Sequence, residues 1–371
     1  MHDVIIVGGG PIGSIAGILL ARKNVDVLII EKQKHPRWKP CGEGLSREGM
    51  EFLKQHDLYL PVKKIFREIK GISFNILTTN IAFHEYDAPI AYTLDRAKFD
   101  HSLISYAQDI GVEVHESETV KNITTLEKVQ VETQHSSYNS KVLIGADGVF
   151  SIVGKKLYRK WENNEIGSAK VARYRIRYPS PTIKANAMEY YFIEGGYGWI
   201  FPRIEDKYLV LNIGIAAGDS SKIRHLFNWF TTTLESMKDI KLRGHEIDGK
   251  IWKHPIPAGG PCRGLHTNST LLVGDAGGFV NPLTGGGLKY GTLSAIYAAE
   301  TIIKFLNNEV ESLELYKDKW QNNIKPVFDK AFRIRDKIYF ISPIQLLAEL
   351  QKHPEIGEQL LQSFIGENKK Q

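Results

Sequence analysis

Two cysteines in 371 residues, Cys41 and Cys262, are too few and too far apart for a disulfide framework, and neither has metal-ligand spacing. That scarcity fits a reducing, intracellular setting, with one redox pair left open. No apolar run is long enough to cross a bilayer, so any membrane contact is expected from the surface. The chain enters a strand at 3–7, which leaves no room for a signal peptide and makes a cytoplasmic protein the expectation. Zinc-finger spacing and RNA-binding aromatic signatures are missing, and the histidines form no nucleophile or metal constellation. Neither a metal nor a nucleic-acid partner is expected. Excess charge is small: 48 Lys and Arg against 42 Asp and Glu give a net +6, enough to favour phosphates or an anionic lipid surface. At 42% hydrophobic and 24% charged residues, the composition is that of a packed globular chain rather than a disordered one.

A chain of this length exceeds what one core supports, so two or three domains are expected. Residues 3–7, a turn at 8–13, an apolar helix to about residue 23 and a strand at 26–30 form a βαβ unit. A helix at 46–55 follows, and 65–92 alternates like strands outside the first layer. A helix at 96–110, a strand at 112–116, a hairpin-like pair near 120–133 and a strand at 141–146 return to the nucleotide layer. From about 168 to 256 strands dominate, at 169–178, 187–193, 198–201 and 209–215, around one amphipathic helix at 221–236. A buried strand at 271–274 precedes a glycine-rich turn and a long helix at 287–307, and the remainder reads as helical. The fold class is therefore α/β, a Rossmann-like two-dinucleotide fold. Its nucleotide domain is expected at 1–75, 93–167 and 257–310, with a mixed-sheet substrate domain at 76–92 and 168–256 and a helical region at 311–371.

Three motifs carry the chemistry. In Gly8-x-Gly10-x-x-Gly13, the first glycine permits a tight turn, the second lets backbone approach a pyrophosphate, and the third allows close helix–strand packing. The helix that follows offers unpaired N–H groups to phosphates. Glu31, at the end of the second strand, stands where a ribose is bound. Gly274-Asp275-Ala276 sits at a strand's carboxyl end, where cofactors bind in open α/β sheets, although a helix N-cap is the plainer role for its aspartate. Gly145-Ala146-Asp147-Gly148 is either an ordinary turn or a brace between domains. A fingerprint first and a Gly-Asp late point to FAD rather than NAD.

These motifs, in this order, resemble the FAD-dependent aromatic hydroxylases and related reductases, and within them the geranylgeranyl reductases. The narrower match rests on Lys39-Pro40-Cys41-Gly42-Glu43-Gly44-Leu45-Ser46, Leu94-Asp95-Arg96-Ala97-Lys98-Phe99-Asp100, Tyr197-Gly198-Trp199-Ile200-Phe201-Pro202 and Asn281-Pro282-Leu283-Thr284-Gly285-Gly286-Gly287, and runs from about residue 3 to 305. The resemblance implies an FAD enzyme that saturates isoprenoid double bonds, with digeranylgeranylglycerol phospholipids of archaeal membrane-lipid biosynthesis as substrate. Alternatives are an aromatic monooxygenase, a reductase of a quinone tail or geranylgeranyl diphosphate, and a non-catalytic flavin or lipid carrier. The electron donor stays open between NAD(P)H, ferredoxin and another reductant, since no second GxGxxG is present.

By the same resemblance Cys41, Gly42 and Gly44 border the flavin, and Ile12 contacts the cofactor through its backbone. Arg96 holds the ribityl–phosphate part, Val120 offers main-chain groups to adenine, and Asp275 binds ribityl hydroxyls. Gly287 and Leu288 aim N–H groups at the flavin's pyrimidine edge, where a helix N-terminus stabilises negative charge. Tyr197, Trp199 and Phe201 alternate onto one strand face, as a prenyl-chain lining or as ordinary core. Cys41, Tyr197 and Trp199 are the candidate catalytic residues, and Cys41 is otherwise a packing residue or half of a pair with Cys262. Glu43 is a proton donor or a solvated loop carboxylate. The chain departs from the family at Gly214-Ile215-Ala216, where Gly-x-Gly is usual. Ile338-Tyr339-Phe340-Ile341, beside Arg333, Arg335 and Lys337, rests on a membrane or caps the core.

Overall fold

The computed structural model describes residues 1–125, 128–157, 159 and 166–365. A parallel strand covered on both faces must be apolar at every position. The last four residues of His2–Val7 and all of Val27–Ile30 meet that demand, with Val4, Ile5, Ile6, Leu28 and Ile29 wholly buried. They pair in parallel at the centre of a seven-stranded sheet. Glu113–His115 extends it beyond Val27–Ile30, while Ser137–Gly145 pairs in parallel with His2–Val7 on the other side. Thr270–Leu272 and the antiparallel Val129–Thr133 both pair with Ser137–Gly145, and Val120–Thr124 continues antiparallel from Val129–Thr133. Helix Pro11–Ala21 packs against both Arg96–Asp109 and Leu288–Leu306.

The second sheet runs Glu246–Pro257, Ile166–Arg177, Tyr208–Ala217, Gly196–Glu205, Ala187–Ile193, Gly71–Ile76, Thr79–Glu85. One face is covered by helix Ile223–Lys238 through Phe227, Phe230 and Leu234. Gly198 is required beneath it, because a Cβ there would stand 2.7 Å from the Phe230 ring. The opposite face carries Phe74, Met188, Tyr190 and Tyr197 into a core shared with Ile334, Ile338, Leu346 and Phe364 of the C-terminal helices. Those helices are Leu315–Asn323, Lys325–Tyr339, Pro343–Lys352 and Pro354–Ile365.

Three expectations change. Gly71–Ile76 pairs in parallel with Ala187–Ile193, so this sheet draws on residues before 76. Alternation announces a strand but cannot say which distant strand it joins. Glu246–Pro257, a twelve-residue edge strand, has no clear alternation because most of its outer positions are exposed. The basic-aromatic segment near 338–341 splits: Ile338 and Tyr339 are buried, while Phe340 is 75% exposed. Among the described residues no helix is long and apolar enough to cross a membrane.

Candidate functional site

A cavity of about 730 Å³ lies between the carboxyl ends of the first sheet and the inner face of the second. Its floor at one end is the first glycine turn. Gly8 has φ +106°, and a Cβ there would fall 2.5 Å from the Ala146 carbonyl oxygen. Gly10 opens onto the cavity, with the nearest side chain, Arg37, 3.7 Å from where its Cβ would be. Gly10 also caps helix Pro11–Ala21 without a side-chain bond, which leaves first-turn N–H groups for a ligand. Gly13 is absent from the wall: its Cβ would lie 2.0 Å from the Gly8 carbonyl, so it serves the packing of the turn. Glu31 accepts hydrogen bonds from the N–H groups of Gly9 (2.8 Å) and Gln33 (2.9 Å), which fixes its carboxylate at the cavity edge near Val120.

The far end of the chain meets this turn through Ile12. Its side chain leaves no room for a Cβ at Gly291 (2.7 Å) or an easy one at Gly274 (3.2 Å). Residues 10–13 and 274–291 are thereby locked edge to edge. Gly287 starts helix Leu288–Leu306, and a Cβ there would approach Asp275 Oδ1 at 3.2 Å. Asp275 accepts a 2.7 Å bond from Lys39 Nζ. Burial alone would raise the Asp275 carboxyl, but Lys39 outweighs it and holds the group below its ordinary value. Asp275 therefore stands ionised in the cavity wall, and the N-cap role is not the one it takes.

Charge on the intervening side is organised by Asp100, which is fully buried. Arg96 forks onto it (Nε to Oδ1 2.8 Å, Nη2 to Oδ2 2.9 Å), and Arg37 adds a 3.1 Å bond. Burial works against the Arg96 charge, and Asp100, helped by Cys41, more than restores it. The Nε of Arg37 is buried with no partner in the protein, beside Gly10. Arg37 and Lys39 were not singled out from the sequence. Their acidic partners lie far along the chain, so only Lys39's place in the Lys39–Ser46 stretch offered a signal.

Glu43 is not solvated. It is 1% exposed and accepts from Trp38 Nε1 (2.8 Å), the Arg96 N–H (3.2 Å) and Arg203 Nη1 (3.0 Å). Asp147 accepts from the Ile152 N–H at 2.6 Å and so braces the turn that supports Gly8. Cys41 lines the cavity, Cys262 is buried in the nucleotide-domain core, and no disulfide joins them.

Tyr197, Trp199 and Phe201 all face the cavity from strand Gly196–Glu205. Trp199 lies across its cross-strand partner Gly214, where a Cβ would be 2.1 Å from the indole. Tyr197 stands opposite Ala216, the position where Gly-x-Gly is broken. Its hydroxyl donates to the Thr284 carbonyl, and burial, with Cys41 nearby, pushes its titration up, so the proton stays. The Trp199 indole donates to Asn212 (2.9 Å), whose amide donates to the Cys41 carbonyl (2.8 Å). Gly42 and Gly44 pack closely on Phe201, whose ring would stand 3.1 Å from a Cβ at either position. A clash with a bound cofactor is not needed to explain them.

The cavity thus has a glycine-floored, cation-bearing half and an apolar half, and the first fits a flavin dinucleotide: turns a Cβ would fill, and a buried guanidinium nitrogen still unpaired. The chain matches the model of the FAD binding domain over residues 1–331. It is 29% identical to digeranylgeranylglycerophospholipid reductase 1 of Methanococcoides burtonii, covering 92% of this chain and 85% of that one. Menaquinone reductase of Mycobacterium tuberculosis is 28% identical over 81% of this chain and 76% of its own. Among solved structures, a geranylgeranyl bacteriochlorophyll reductase-like protein from Thermoplasma acidophilum superposes with a TM-score of 0.82 at 22% identity, covering 98% and 99% of the two chains. A flavin-dependent brominase reaches 0.76 at 20% identity, covering 98% and 93%. With the fingerprint, the late Gly-Asp and the cradle between them all in one family's arrangement, the chain belongs to the FAD-binding domain family, and FAD is its cofactor.

Proposed function

We propose that this protein is an FAD-dependent oxidoreductase that saturates isoprenoid double bonds, with a digeranylgeranylglycerol phospholipid as the substrate. One observation carries the reading: the glycine-floored half of the cavity is continuous with an apolar trough lined by Ala169, Val171 and Met188 and flanked by Tyr197, Trp199 and Phe201. Gly8, Gly10, Ile12, Glu31, Arg37, Val120, Asp275, Gly287 and Leu288 would hold the cofactor, and Cys41, Gly42 and Gly44 border it. Bound FAD supplies two-electron transfer, which no side chain offers. The trough supplies a dry, shaped surface for a polyunsaturated chain, and its aromatic faces favour positive charge developing on an alkene. Names of relatives reduced on prenyl lipids and on a menaquinone agree with this class of substrate.

Neither Glu43 nor Tyr197 delivers the second hydrogen as a proton. Glu43 is held in an ion pair with Arg203, and the Tyr197 proton is committed to Thr284. Cys41, Tyr190 and His254 also line the cavity, and Cys41 lies between its two halves.

A lipid substrate requires access from a bilayer surface. Phe340 (75% exposed) and Ile344 (80%) project at the turn between two C-terminal helices, and Lys330, Arg333 and Lys337 run up to them at helical spacing. This tip is the surface that meets the membrane.

The test incubates dithionite-reduced, FAD-loaded protein with digeranylgeranylglyceryl phosphate. Mass spectrometry should show stepwise gains of two hydrogens in the lipid. Unchanged lipid mass, with hydroxylation of an aromatic substrate under oxygen and NAD(P)H, would replace this reading by a monooxygenase.

A further inference from the structure

The wall of the apolar trough is not all made by the sheet. Ser363 and Phe364 reach it from helix Pro354–Ile365. The Phe364 ring meets Tyr190 edge-on at 4.4 Å between centroids and lies 6.0 Å from Tyr197, with Phe74 at 5.7 Å and Phe192 at 6.1 Å behind it. At 8% exposure the ring is packed and is not a surface flap. Leu360 and Ile365 continue the same cluster, so among the described residues the trough is backed by packed side chains behind Phe364. Ala169 and Val171, smaller side chains than the aromatic ones, form the floor beside it. An extended apolar chain lying along this floor runs until it meets Phe364.

We infer that Phe364 determines specificity as the end stop of the trough, setting how many isoprene units a substrate can lay past Trp199. The inference rests on the isoprenoid reading above. A phenyl ring is close in size to one isoprene unit. Shortening Phe364 therefore makes room for one more unit, and a chain that fills the space offsets the cavity that truncation leaves.

The experiment titrates FAD-loaded wild type, Phe364→Ala and Phe364→Leu with geraniol, farnesol, geranylgeraniol and geranylfarnesol, following quenching of tryptophan fluorescence. Trp38, Trp199 and Trp252, three of the chain's six tryptophans, stand in the cavity wall and carry the change. In wild type, affinity should climb with length and then stop. In Phe364→Ala the alcohol one unit longer should gain about tenfold relative to the wild-type optimum, with a smaller gain in Phe364→Leu. A length profile unmoved in Phe364→Ala, at wild-type FAD content and melting temperature, overturns the end stop. If the alanine variant does not fold, an unmoved profile in Phe364→Leu does the same, as does failure of every alcohol to bind. Each bound alcohol is then exposed to dithionite and weighed. A shifted profile without hydrogen uptake supports the end stop and sinks the reductase reading instead.

Discussion

Single side chains in this molecule are constrained either by a clash or by a buried charge, and the two predict different behaviour. Gly13 belongs to the first kind: a methyl group 2.0 Å from the Gly8 carbonyl cannot be accommodated without moving the turn. Gly13→Ala should cost more than about 2 kcal/mol of stability and abolish retention of FAD through purification, both visible by calorimetry and absorbance. Glu43 belongs to the second. Replacing it by Gln leaves buried Arg203 with Glu205 (3.0 Å) and Asp95 (3.4 Å) but without the buried Glu43 carboxylate, so Glu43→Gln should lower stability by about 1–3 kcal/mol. The pH dependence of turnover should stay put, because Glu43 carries no proton in the reaction. A displaced pH profile would restore it as an acid.

His254 offers a pH test of its own. Burial, reinforced by Lys39, pulls its imidazole down to about 4, and its Nε2 is buried without a protein partner. The fold favours neutral imidazole, whereas the unfolded chain binds the proton from about pH 6.5 downward. Stability from this site is therefore complete above pH 6.5 and is lost as pH falls toward 4. Melting temperatures across that window should fall less in His254→Gln than in wild type. Equal slopes would remove the histidine from the account.

Elements show where sequence patterns speak and where they fall silent. The turn at 8–13 and the acid at Glu31 were legible because a tight turn, a helix start and a strand end are written in neighbouring residues. The aromatic row of Gly196–Glu205 was legible as a face through its period of two, but its neighbours were not. Trp199 needs Gly214 across the strand, and Asn212 ties that row to the Cys41 loop, through pairings that no local pattern records. Glycines 42 and 44 lie against the Phe201 ring, 3.1 Å from where a Cβ would stand, a neighbour that their own loop does not announce. Asn212→Ala would leave the Trp199 indole and the Cys41 carbonyl unpaired. It should cost about 1–3 kcal/mol and weaken FAD affinity by loosening the loop, measured by denaturant melts and flavin titration.

At the scale of the whole molecule, two sheets and a C-terminal helical cover meet at one cavity. The parallel sheet presents glycine backbone and fixed charge, and the second sheet presents aromatic and small apolar residues. The helical cover could not be placed from sequence, since an amphipathic helix declares an apolar face but not its partner. Its packing on the trough side of the second sheet closes the space on that side.

The most direct measurement is a titration of FAD into cofactor-stripped protein, followed through the fluorescence of the wall tryptophans Trp38 and Trp199. One equivalent per chain should bind tightly and quench that emission, and Gly13→Ala should prevent both. A protein that stays colourless, or takes up flavin without perturbing those tryptophans, would contradict the claim that a single cavity joins cofactor to trough.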